Sequence, residues 1–242
     1  MKSSKLTEPR RWYDDACGAA HGLELVGERW ALLVMRELMF GPRRFSELRG
    51  GLPGISANVL TQRLAGLEAA GIARRRHLPP PASVQVYELT EWGLESEPIF
   101  QVLGRWAARS PAHDPTLPLS AASLMLSFRT MLDGAKAGGL DARIGFRMKG
   151  DGFVGHLAQG RFDIVRRDPE DADLLFAGAP PAIAAAVYGG QPIAALEEAG
   201  TLKVEGPRWL AGLFLSLFPL PEKAGILHLH GDEGVAAMQP SH

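Results

Sequence analysis

Apolar residues in the first hundred positions recur at helical spacing in short bursts, and each burst ends at glycine or proline. Residues 28–40 are apolar almost all round (Trp30, Leu32, Leu33, Val34, Met35, Leu38, Met39), the pattern of a buried helix. Gly41-Pro42 stops it. Phe45, Leu48 and Leu52 continue at helical spacing until Gly50-Gly51 and Pro53-Gly54 break a second, shorter helix. Ser56 is placed to cap a longer helix running to about Ala70, and Gly71 closes it. Residues 73–78 and 84–90 read as extended runs around Pro79-Pro80-Pro81, a β-hairpin with a stiff tip. Thr90 then caps a last helix in which Ile99, Val102, Leu103 and Trp106 form an i, i+3, i+4, i+7 stripe.

The pattern changes after residue 108. Residues 109–119 are rich in proline and short polar side chains and read as a linker between domain 1–108 and domain 120–221. Ser120 caps a helix with Leu124, Phe128 and Met131 on one face. Residues 142–148, 152–158 and 161–167 are extended runs separated by Gly150-Asp151 and Gln159-Gly160, the turn spacing of an antiparallel meander. A fourth run, 173–177, precedes an alanine-rich helix at 180–188, and 201–205 is a fifth. Pro207 opens a final helix, 207–218. Leu210, Leu213, Phe214 and Leu217 line one face of that helix, and Trp209, Leu215 and Phe218 load the other. A helix apolar on both sides buries both, against another domain or as the wall of an apolar cavity. The fold class predicted is α+β: a helical domain with a β-hairpin, then an α+β domain with a mainly antiparallel five-stranded sheet covered by helices, and a tail at 222–242.

Composition is compatible with a core in each domain, since 46% of residues are hydrophobic and 22% charged. The polar start of the chain does not read as a signal peptide, and no run reaches the length of a membrane helix. A single cysteine, Cys17, excludes an internal disulfide and fits a reducing cytoplasm. The net charge of −1 conceals an asymmetry: residues 1–110 hold 15 basic against 12 acidic side chains, and 111–242 hold 11 against 15. Within 43–76 stand seven arginines (Arg43, Arg44, Arg49, Arg63, Arg74, Arg75, Arg76) and two acids. Such a cluster serves either as a solvated face or as a nucleic-acid footprint.

Helix, helix, tight turn, helix, hairpin, helix is the order of a winged helix-turn-helix, whose chemistry lies on the exposed face of the second turn-linked helix. With Leu60, Leu64 and Leu67 inward, Asn58, Thr61, Gln62 and Ala65 point outward at about 100° per residue. Asn and Gln pair with adenine N6/N7, and Thr touches a thymine methyl. Arg63 sits at the edge of that face, where a phosphate is the natural partner, with Arg44 and the cap Ser56 at its start. Arg74, Arg75, Arg76 and His77 approach the hairpin tip, placed to reach an adjacent groove or backbone.

The stretches CGAAHGLELVGERW, RFSELRGGLPGISANVLTQRLAGLEAAGIARR and YELTEWG resemble the HxlR-type winged-helix regulators over residues 12–108. The resemblance implies a homodimer on double-stranded DNA with the first and last helices of this half in the interface, which matches the stripe Ile99, Val102, Leu103, Trp106. The chain departs from that family in a longer hairpin tip, in Val84 where arginine is common, and in Asn58 where lysine is frequent. In some members a cysteine corresponding to Cys17 senses oxidants or electrophiles. Sensing needs a lowered pKa and solvent access. The neighbours Asp14 and Asp15 argue for a raised pKa and a semi-buried structural thiol.

The run ADLLFAGAPPAIAAAVYGGQPIAALEEAGTLKVEGP resembles the sterol-carrier-protein-type-2-like fold over about 119–220. It implies a tunnel for an apolar small molecule between sheet and helices, with Tyr188, Trp209, Leu213, Phe214 and Leu217 as candidate walls. The competing reading is a filled domain that serves dimerisation or partner binding. His228 and His230 lack companions for a metal set and read as part of a flexible tail. No phosphate loop and no G-x-S-x-G elbow appears, so neither an enzyme nor a cofactor is expected.

Overall fold

The structure, a computed structural model, describes residues 13–225. The first twelve positions and the segment 226–242 with His228 and His230 lie outside the described residues. The first half comprises α1 (Gly18–Val26), α2 (Ala31–Leu38), α3 (Phe45–Gly51), α4 (Ala57–Ala69), β1 (Ala73–His77), β2 (Gln85–Leu89), α5 (Glu91–Leu94) and α6 (Glu97–Ala108).

Two of these elements differ from the sequence pattern. The helix expected over 28–40 begins at Ala31, because Trp30 takes a left-handed φ of +80° that a helix cannot include. The helix expected after Thr90 is split in two. Thr90 Oγ1 accepts from Gly93 N at 3.0 Å and caps the one-turn α5, and the chain restarts after Ser96 with Pro98 in the first turn of α6.

The second half comprises α7 (Ala121–Met131), α8 (Gly134–Ala137), β3 (Ala142–Met148), β4 (Asp151–Ala158), β5 (Arg161–Arg166), β6 (Leu174–Gly178), α9 (Pro180–Val187), α10 (Ile193–Glu198), β7 (Leu202–Glu205) and α11 (Arg208–Leu215). Its sheet has the order β5-β4-β3-β6-β7 and is mixed. β5-β4, β4-β3 and β6-β7 pair antiparallel as the meander spacing implies, but β3 and β6 pair parallel, with Ile144 opposite Leu174. The reason lies in the connection 167–173. It leaves the edge strand β5 and crosses the sheet to enter β6 beside β3. The crossing is close: a Cβ at Gly145 would stand 2.7 Å from Pro169 Cβ, and one at Gly152 would stand 2.8 Å from Arg167 O.

The core of this half contains an aromatic cluster. Phe128 of α7, Phe146, Phe162 and Phe176 of the sheet, Phe214 of α11 and Phe218 just beyond it form a continuous cluster with ring centroids 4.8–6.4 Å apart. All six are buried. Residues of this core and the leucine core of the first half form one connected buried cluster, because α7 packs on α2 and α6. At that junction Ser120 Oγ donates to the buried Glu37 carboxylate at 2.7 Å and Arg129 pairs with Glu97 at 2.7 Å. Arg105 donates to the Thr130 carbonyl.

Candidate nucleic-acid interface

α3, the turn at 52–56 and α4 form a helix-turn-helix because three local features agree. Arg44 N donates to Glu47 Oε2 at 2.8 Å, which fixes the start of α3. Gly54 supplies the left-handed φ of +88° that the turn requires. Ser56 Oγ accepts from Val59 N at 3.2 Å, so the capping role inferred for Ser56 is its role in this structure. Leu60, Leu64 and Leu67 are fully buried, while Asn58, Thr61, Gln62 and Ala65 are exposed on the opposite face. Neither Asn58 nor Gln62 spends its amide on another described residue, and both remain available as paired donor–acceptor groups. Thr61 Oγ1 donates to Ala57 O at 2.9 Å, which leaves its methyl as the free part of the side chain.

Several arginines expected from the sequence to contact phosphate are paired with carboxylates in the structure. Arg63 Nη2 lies 3.1 Å from Glu28 Oε2, tying α4 to the start of α2. On the hairpin, Arg74 stands directly opposite Glu88 and their side chains meet at 2.7 Å; Arg76, two residues on, reaches the other Glu88 oxygen at 3.0 Å. Arg75 points to the other face, where Glu68 of α4 lies 2.9 Å away and the guanidinium sits over the Tyr87 ring. Arg74, Arg75, Arg76 and His77 are nonetheless exposed, as is Arg44, so the hairpin presents a basic rim braced by Glu68 and Glu88. Glu88, which joins Arg74 and Arg76, was not singled out from the sequence; its register opposite Arg74 follows from the hairpin pairing.

The stripe on α6 is exposed as a unit. Ile99, Val102, Leu103 and Trp106, with Pro98, line an open apolar groove of about 490 Å³, and Val102 and Trp106 are 71% and 70% exposed. Cys17 immediately precedes α1 and is fully exposed. Its thiol lies below the ordinary value because the backbone N–H groups of Ala19 and Ala20 at the helix start stabilise the thiolate. The expectation of a semi-buried thiol raised by Asp14 and Asp15 is therefore corrected. Asp15 Oδ1 accepts from Cys17 N at 2.9 Å, so this carboxylate caps the backbone.

The candidate cavity residues differ in their surroundings. Phe214 is inside the phenylalanine cluster, Leu217 is fully buried in the core, Leu213 is partly buried against that core, and Tyr188 joins the edge of the cluster against Phe128. The Tyr188 hydroxyl is 2.8 Å from Ser127 Oγ, and burial pushes the phenol well above its ordinary pKa. Trp209 points outward, 67% exposed, and lines no interior wall. Among the described residues, no group of three or more His, Cys, Asp or Glu could hold a metal ion, and no helix is long and apolar enough to cross a membrane.

Comparison with known proteins matches the first half of this architecture. The HxlR-like helix-turn-helix family pattern covers residues 25–114. The HTH-type transcriptional regulator YodB of Bacillus subtilis (strain 168) is 40% identical over 83 residues, which are 34% of this chain and 74% of YodB. The chain belongs to the HxlR-like helix-turn-helix family. A second relative in that organism, the uncharacterized HTH-type transcriptional regulator YybR, is 35% identical over 108 residues, 44% of this chain and 82% of its own. Among solved structures, the reduced form of YodB aligns at 35% identity over 40% of this chain and 98% of its own, with a TM-score of 0.37. As an HxlR-like protein, the chain is a DNA-binding transcriptional regulator.

Proposed function

We propose that this HxlR-like chain binds double-stranded DNA as a homodimer, with each α4 in a major groove and each β1–β2 hairpin along the neighbouring backbone. The observation that carries this reading is the outward face of α4, where Asn58 and Gln62 keep both amide groups unengaged above a leucine stripe that fixes their direction. Arg44 and the rim Arg74, Arg75, Arg76 and His77 supply the phosphate contacts, while Arg63 holds α4 to Glu28. The partner copy covers the α6 groove through Ile99, Val102, Leu103 and Trp106. An apolar stripe left exposed along one helix face is what an isologous interface covers.

The domain at 120–221 is a sterol-carrier-like scaffold in this reading. The six packed phenylalanines favour it over a preformed ligand tunnel, since an apolar ligand beside Tyr188, Leu213 and Phe214 would have to displace rings already in contact. Native mass spectrometry of gently purified protein tests this part: a dimer free of co-purified apolar mass is expected, and a stoichiometric lipid or metabolite mass would restore the ligand-responsive reading. A protection assay on the DNA upstream of the protein's own gene tests the whole. Two protected half-sites about one helical turn apart are expected, and uniform, sequence-independent protection would contradict it.

A further inference from the structure

The winged helix meets the C-terminal sheet at charged side chains that the DNA-reading face does not use. Arg43, between α2 and α3, exchanges both main-chain hydrogen bonds with Tyr87 of β2, Arg43 N to Tyr87 O at 2.9 Å and Tyr87 N to Arg43 O at 2.8 Å. It thus acts as a one-residue third strand of the wing. Its guanidinium reaches into the other half of the molecule, where Nη2 donates to Asp151 Oδ2 at 2.6 Å. Only 11% and 13% of the two side chains is exposed. Asp151 opens β4, and its second oxygen lies 3.3 Å from Arg166 Nε, out of line for a hydrogen bond. Beside this pair Phe40 and Phe153 meet edge to face at 5.6 Å, with Arg129 over the first ring and Arg166 over the second. Asp151 is therefore the carboxylate shared by two part-buried arginines. Glu47 of α3, 4.0 Å from Arg43 Nη1, is the nearest rival for Arg43.

We propose that Asp151 is a positioning residue for DNA reading: by holding Arg43 it fixes the β1–β2 hairpin relative to α4, so the C-terminal domain sets how well the wing meets DNA. A two-stranded ribbon has little stability alone, and the Arg43 bridge is the main-chain pairing that anchors β2 on its free side. Without Asp151, Arg43 turns toward Glu47 and water, and the bridge to Tyr87 loosens. The inference rests on the reading that the hairpin contacts DNA.

The test uses the full chain. In Asp151→Asn, amide hydrogen exchange of the free protein should quicken at Arg43, Tyr87 and along β1–β2 by roughly tenfold or more, with the Leu64 and Leu67 amides of α4 unchanged. Affinity for a bound duplex should fall by roughly 3- to 30-fold with the oligomeric state intact. In a chain already carrying Arg74→Ala and Arg76→Ala, Asp151→Asn should lower affinity less than it does alone, since only Arg75 and His77 then remain on the wing for it to position. Arg43→Met removes the cation yet leaves Asp151 paired with Arg166, and carries the same expectations if the first variant fails to fold. Unchanged hairpin exchange in the variant that folds, or an undiminished affinity loss in the background lacking Arg74 and Arg76, would overturn the proposal. Failure of the wild-type chain to bind any duplex would sink the DNA reading instead, and exchange on the free protein would still decide whether Asp151 braces the wing.

Discussion

In the proposed mode of DNA binding, Asn58 and Gln62 carry sequence preference, and the arginines around them carry charge. Removing either amide, as Asn58→Ala or Gln62→Ala, should cost roughly 1–3 kcal/mol on the preferred duplex and relax base choice at one position, read by titrating matched and single-substitution duplexes. Glu88 acts in the opposite sense. It holds Arg74 and Arg76 at 2.7 and 3.0 Å, so Glu88→Gln should release both toward phosphate. Binding to all duplexes should strengthen at low salt, and the log–log salt slope should steepen by about 1–2; an unchanged slope would mean that the hairpin rim does not meet DNA. Cys17 titrates apart from this surface. Its lowered thiol carries more thiolate at a given pH than the same cysteine in the unfolded chain. Iodoacetamide alkylation should therefore reach half its limiting rate at a lower pH in the folded protein than in denaturant, and an equal or higher midpoint would contradict the helix-start stabilisation by Ala19 and Ala20.

At the scale of elements, α6 and the phenylalanine cluster make separable predictions. Val102→Asp places a charge in the centre of the exposed stripe and should leave a folded monomer in sedimentation velocity, with duplex affinity lost along with the second half-site; a persistent dimer would locate the interface elsewhere. Phe214→Ala empties a site ringed by Phe128, Phe146, Phe162, Phe176 and Phe218. It should cost about 3–5 kcal/mol in denaturant unfolding. Much of this was legible in the sequence where information is local. The leucine stripe of α4, the Ser56 cap, the proline-tipped hairpin and the turns at 150 and 160 all depend on neighbours within a few residues. The parallel β3–β6 pairing was not legible, because it follows from a crossing permitted by Gly145 and Gly152 against Pro169 and Arg167. The greasy faces of 207–218 left cavity and core open, since six rings drawn from five elements and the chain just beyond α11 decide how that space is filled.

At the scale of the molecule, the two halves share a buried cluster through α7, and Arg43 and Asp151 join them across 108 positions of sequence. No local pattern announces such a pair. The central claim is that α4 reads bases in a major groove from each of two related copies. Selection of bound duplexes from a random pool, run in parallel with wild type and Gln62→Ala, tests it most directly. The account predicts an enriched inverted repeat with half-site centres about 10 base pairs apart and loss of preference at one symmetric pair of positions in the variant. An enriched site that Gln62→Ala and Asn58→Ala both leave unaltered would contradict it.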